Sequence, residues 1–275
     1  MKGDLCMSQF GDYKNPVILD GFEWVSGDWR NFKIRNRITG DELIWFPMGD
    51  VRPEAIMHEG VFHDEHGIAF HGEKFGSFYY NEEIEPNLLK ALRQTGGVYL
   101  PCYYPSKGKG GLPQFVPGED VWADISWQEA MTACKEYTRN MKCKNYVKTT
   151  MINSLVYDYL CLWLLQQKKR TWHELVENSS TWGNYLPVGA KTGFPIKTGS
   201  VEAYMTGGLD WLAGNYQLWT SEKYHNYCRV VRSGSYEDDG ESLGSLGAPA
   251  TARMAMAPEV TAPTVSFMMQ MEVTY

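Results

Sequence analysis

Long apolar runs are missing from this 275-residue chain, and so is any C-x-x-C pair. The longest apolar stretch, around residues 155–165, is broken by Asp158. A membrane-spanning helix needs about 18–20 uninterrupted apolar residues, so no membrane insertion is expected. Positive charge is also scarce: 26 Lys and Arg face 33 Asp and Glu, for a net charge of −7. The densest basic cluster is Lys168-Lys169-Arg170. Nucleic-acid binders draw most of their affinity from phosphate contacts made by a basic face, and no nucleic-acid partner is expected here. The six cysteines (Cys6, Cys102, Cys134, Cys143, Cys161, Cys228) are widely spaced. That spacing suits neither a disulfide scaffold nor a zinc knuckle, and it reads as buried free thiols. The first residues, Met1-Lys2-Gly3-Asp4-Leu5-Cys6, lack the layout of a secretory signal. A cytoplasmic or virion-associated location is the expectation.

What is present is an ordinary apolar fraction, 43%, with 14% aromatics, enough to bury a substantial core and to exclude global disorder. Residues 1–50 carry short β-rich pieces, 18–19, 22–25 and 32–35, separated by Gly, Asp and Asn, and then 41–49 as a buried strand ending in a turn. Residues 50–120 read as loops, with prolines at 53, 86, 101, 105, 113 and 117. Within them Lys107-Gly108-Lys109-Gly110-Gly111 lacks the Gly-Lys-Ser/Thr ending of a phosphate cradle. Ser126 with Glu129 is a capping box, followed by apolar residues at helical spacing to Met141. A second helix is expected from Thr149 or Thr150 to about Lys169, and a capping box at Thr171 and Glu174 opens a short third one. After Asn178 helical periodicity gives way to loops and short strands, among them 265–273. Strands, then two main helices, then a loop-rich β part make an α+β fold. No linker divides the chain. Residues 1–40 are taken as an N-terminal β extension packed on a main domain of residues 41–275.

Four segments in order resemble the formylglycine-generating enzyme (sulfatase-modifying factor) family. They are Leu43-Ile44-Trp45-Phe46-Pro47-Met48-Gly49, Ile125-Ser126-Trp127-Gln128-Glu129-Ala130, Leu212-Ala213-Gly214-Asn215-Tyr216-Gln217-Leu218-Trp219-Thr220-Ser221-Glu222, and Arg229-Val230-Val231-Arg232-Ser233-Gly234-Ser235-Tyr236. The resemblance implies a C-type-lectin-like fold with an irregular antiparallel sheet. The departures bear on activity. That family uses two nearby C-terminal cysteines as a copper-binding redox pair, whereas residues 229–275 contain no cysteine. The matching stretch is Pro249-Ala250-Thr251-Ala252-Arg253-Met254. A methionine thioether supplies neither the charge nor the nucleophile of a thiolate, and Met254 and Met256 read as apolar filling. Leu218 stands where the family carries a glutamate, which removes a carboxylate from its calcium site.

The same fold serves as the variable protein of diversity-generating retroelements, whose C-terminal loops bind changing ligands. This resemblance implies a non-enzymatic binding protein, of the variable-protein or phage receptor-binding type. Its late loops are rich in contact-type residues: Tyr224, His225, Asn226 and Tyr227, then Tyr236, Asp238, Asp239, Glu241 and Ser242. The expected partner is a protein or carbohydrate on a cell or phage surface. No cofactor is expected, with calcium at Glu237, Asp238, Asp239 and Glu241 as the open alternative. A divergent metal-dependent enzyme is the second reading, with His58, His63, His66 and His71 as candidate ligands. A virion structural protein is the third.

Overall fold

Alternation of more and less buried residues in 22–26 and 33–36 builds the edge of a sheet. The computed structural model describes residues 10–51, 86–186, 189–190, 192–225 and 227–275. Strands β1 (Phe22–Ser26), β2 (Lys33–Asn36) and β3 (Glu42–Phe46) form an antiparallel meander. β4 (Val98–Pro101), β12 (Met269–Val273) and β7 (Val147–Met151) complete a six-stranded sheet in the order β1-β2-β3-β4-β12-β7. Residues 22–36 therefore continue the same sheet as β3.

A second sheet has four strands in the order β10-β9-β8-β11, formed by β8 (Gln217–His225), β9 (Cys228–Arg232), β10 (Arg253–Met256) and β11 (Val265–Phe267). β11 runs parallel to β8, and the other pairs are antiparallel. A small ribbon of β5 (Ser106–Lys107) and β6 (Pro113–Gln114) stands apart. Helices accompany sheets in which every strand pair but β8–β11 is antiparallel, and the α+β expectation holds.

Three α-helices are described, against the two main helices expected. Helix α1 (Pro86–Thr95) falls in the stretch read as loops. Pro86 sits at its first position, where a missing N–H is harmless. Leu88, Ala91, Leu92 and Thr95 form its buried stripe. It ends at Gly96, whose φ of +72° is a left-handed stop, and a side chain there would strike the Gly11 carbonyl. Helix α2 (Trp127–Glu136) opens with the expected capping box: the Ser126 hydroxyl accepts from the Glu129 N–H and the Glu129 carboxylate accepts from the Ser126 N–H.

Helix α3 (Ser154–Gln166) is shorter than expected. Residues 147–151, including Thr149 and Thr150, belong to β7 and pair with β12 from Met269↔Met151 to Val273↔Val147. β-Branched Val147, Thr149 and Thr150 suit a pleated strand better than a helical turn. The helix starts where Asn153 caps it, its side chain accepting from the Leu155 N–H at 2.8 Å. Every residue from Ser154 to Leu164 is buried. A helix apolar on all faces must lie inside the molecule. α3 meets β3 through an edge-on Phe46–Trp163 contact, and it meets the second sheet at Tyr157 and Asp158. Trp182, Trp211 and Trp219 are core residues. The capping box at Thr171 and Glu174 forms too and starts a single helical turn at His173. No described helix is long and apolar enough to cross a membrane.

Candidate functional surface

The four segments that carry the family resemblance supply β3, the start of α2, the first half of β8, and β9 with the turn after it. The second sheet they build is tied to α3 by buried charge. Arg232 points inward from β9 and donates to Asp158 at 2.6 Å, with its guanidinium 4.7 Å from the Tyr157 ring centroid. Arg232 is fully buried. Beside it Glu222 of β8 pairs with Arg253 of β10, whose guanidinium lies 5.2 Å from the Tyr224 ring centroid. Burial raises the Glu222 carboxyl, and the Arg253 and Arg232 charges oppose that rise. The charges form a ladder from Tyr224 at the rim, through Arg253, Glu222 and Arg232, to Asp158 in the core.

The opposite face of the same sheet rests on the segment before α2. The Trp219 indole donates to the Ile125 carbonyl at 2.9 Å, and the Trp127 indole donates to the Thr220 carbonyl at 2.7 Å. Arg229 stacks on Trp127 at 4.3 Å. Both faces of the β8–β9 hairpin are therefore pinned at its root. Sequence reading missed this anchor. Asp158 had no visible partner, and Arg232 lies 74 positions away.

At the tip of that hairpin, Tyr224 is half-buried and Tyr227 is 83% exposed. His225 ends β8, while Asn226 lies outside the described residues.

The second group of candidate residues, after β9, is placed differently. Tyr236 is only 7% exposed, its ring edge-on to Tyr216 at 5.6 Å, so most of it is a packing residue. Asp238 faces inward: one carboxylate oxygen accepts from the Ser235 N–H and hydroxyl and from Gln217. Burial raises the Asp238 carboxyl, and those hydrogen bonds oppose the rise. Asp239 accepts from the N–H groups of Glu241 and Leu246. Glu241 accepts from Asn178, and the Ser242 N–H donates to the Glu177 carbonyl. These carboxylates hold the loop in shape and do not converge on one point. The loop presents Leu243, 98% exposed, which sequence reading passed over. An apolar residue among Gly and Ser carries no periodic signal, and only the wiring around Asp239 reveals that it is held out.

The two groups stand at opposite ends of β9. Its five residues separate hairpin tip from loop by about 13 Å at strand rise. The edge of the second sheet runs between them.

The candidate metal ligands His58, His63, His66 and His71 lie outside the described residues, as does Cys6. Among the described residues no group of three or more His, Cys, Asp or Glu is arranged to hold a metal ion. Burial pushes the Cys102 thiol up to about 12 and the Cys143 thiol up to about 11, and it raises Cys134 and Cys161 as well. Such thiols are neutral and poor nucleophiles. Cys228, beside the hairpin tip, is half-buried.

No protein-family model matches the sequence, and no curated protein is significantly similar to it. Several solved structures are similar in shape. One, described as Treponema denticola variable protein 1, shares 11% identity and a TM-score of 0.45, over 93% of this chain and 99% of that one. A second is PvdO from Pseudomonas aeruginosa, at 9% identity and a TM-score of 0.44, over 88% and 98%. A third is CarF, at 13% identity and a TM-score of 0.43, over 65% and 87%. All three TM-scores lie below 0.5.

Proposed function

We propose that this chain is a non-enzymatic binding protein that displays two groups of contact residues on a rigid C-type-lectin-like scaffold. The single observation that carries the reading is the contrast between anchored loop bases and exposed tips. Tyr227 and Leu243 are almost fully in solvent, yet Tyr227 tips a hairpin whose root is fixed by buried ion pairs, and Leu243 sits in a loop held by two hydrogen bonds to Asp239. A preorganised, solvated aromatic or aliphatic side chain is an inexpensive anchor, because little rotamer and loop entropy is lost when a ligand covers it.

The ligand is a protein or carbohydrate exposed on a cell or phage surface. The buried, neutral character of Cys102, Cys134, Cys143 and Cys161 supports the non-enzymatic half of the reading, since a thiol redox site needs an accessible thiolate.

The test is a combined glycan and surface-protein array probed with the native chain and with a Tyr227→Ser, Leu243→Ser double variant. Binding by the native chain that the double variant loses, with both melting at the same temperature, supports the reading. Equal binding by both contradicts it.

A further inference from the structure

β10 is an edge strand of the second sheet, and no described strand pairs with its outer side. Its register with β9 is regular over all four pairs, from Arg253↔Arg232 to Met256↔Arg229. The Ser233 N–H donates to the Ala252 carbonyl, which fixes the phase of the ladder. Pairs 254↔231 and 256↔229 then exchange the bonds to β9, and the N–H and C=O of Ala255 point away from it. The Thr220 hydroxyl bond to the Val230 carbonyl agrees, because Val230, opposite Ala255, turns its own groups toward β8.

Exposed edges are normally protected, and the other edges of the two larger described sheets are. β1 carries a bulge between Trp24 and Ser26. β7 carries exposed Lys148. β11 is covered by residues 122–124, where the Asp124 N–H reaches the Val265 carbonyl and Ser266 bonds the Trp122 carbonyl. β10 has no lysine, proline or bulge. Its one charged side chain, Arg253, is engaged by Glu222. Ala255 is exposed, and half-buried Met254 and Met256 share the other face. Methionine thioethers adapt their shape to what they meet.

The edge also joins the two loop groups. The Met256 end lies beside Arg229, stacked on Trp127, near the hairpin tip. At the other end Gln217 touches both the Met254 sulfur and the Asp238 carboxylate, and exposed Glu237 stands next to it.

We propose that β10 is a strand-addition site for an extended segment of a partner protein. The segment pairs its main chain with Ala255 and sets apolar side chains at alternate positions against Met254 and Met256. It places a basic residue beside Glu237. This rests on the binding-protein reading and names its ligand class as an extended peptide. Strand addition supplies affinity through main-chain bonds and specificity through alternate side chains.

The test selects short random linear peptides on phage against the full chain. Selected peptides are then measured on Ala255→Pro, which deletes the outward N–H at a position where an edge strand tolerates proline. Ala255→Lys, a charged edge, serves if the proline variant does not fold, and peptides N-methylated at alternate residues need no variant at all. The expected result is enrichment of peptides with alternating apolar residues whose Kd rises roughly tenfold or more with Ala255→Pro and with N-methylation, at unchanged melting temperature. No enriched peptide, or glycans as the sole array ligands, overturns the proposal. Peptides that ignore both changes at Ala255 but lose binding with Tyr227→Ala overturn strand addition while leaving the loops as the binding site. Peptides indifferent to both variants overturn both readings.

Discussion

Arg232 and Asp158 form an ion pair at 2.6 Å inside the protein, one on an inner strand of the second sheet and the other in the middle of a buried, largely apolar helix. Neither residue touches the proposed ligand. Their role is to fix the root of the hairpin, so the proposed binding surface depends on them indirectly.

Removing one partner leaves the other as an uncompensated buried charge, which costs about 3–5 kcal/mol. Asp158→Ala and Arg232→Ala are each expected to lose stability on that order in urea or guanidinium denaturation. A double Asp158→Leu, Arg232→Met variant is expected to lose less than either single variant, because it buries no charge. Single losses below about 1 kcal/mol, the range of a surface pair, would show that the pair is solvated.

Tyr236 and Tyr227 were equivalent as sequence, and the fold separates them. Tyr236→Ala is expected to cost about 3 kcal/mol, as for a buried aromatic. Tyr227→Ala should stay within about 0.5 kcal/mol of the native chain, as for a surface substitution. Thermal melts of the two variants side by side check this, and equal losses contradict the placement.

Asp210 accepts from the N–H groups of Tyr104 and Gly199 and holds the 198–199 turn against the chain after β4. Burial pushes its carboxyl up to about 7. An unfolded aspartate titrates near 3.9, so between these values the native state holds a proton that the unfolded state has released. The contribution is fully present below about pH 4 and is lost as pH rises through about 7. Melting temperature measured from pH 4 to 8 should fall more for the native chain than for Asp210→Asn. Parallel curves would place the carboxyl at an ordinary value.

The carboxylates of Asp238, Asp239 and Glu241 accept separate donors within the protein. Chelation with EDTA is expected to leave the melting temperature unchanged, and calcium is expected to add nothing. A rise of several degrees with calcium would mean that these groups rearrange around an ion.

Much of the scaffold could be read from local patterns. The Ser126–Glu129 and Thr171–Glu174 boxes form as written, because a cap depends on residues three apart. What failed depended on distant partners. Thr149 and Thr150 follow helical spacing with the residues after them, yet they join a strand because β12 arrives more than a hundred positions later to pair with them. Helix α1 was hidden by prolines, although Leu88, Ala91, Leu92 and Thr95 carry the right period. On the proposed binding surface, residue type marked Tyr224, Tyr227 and Tyr236 alike, and packing against Tyr216 removes Tyr236 from solvent. That no described strand pairs with the outer side of β10 is a property of sheet order, which no single stretch of sequence encodes.

On the proposed reading, ligand covers the surface running from the hairpin tip, along β10, to the loop after β9. Hydrogen–deuterium exchange on the full chain, with and without a ligand found on the array, tests it most directly. The account predicts slowed exchange at residues 224–228, 236–246 and 253–256, with the β1–β3 meander unaffected. Protection confined to residues 10–51, or absent from all three of those segments, would contradict it.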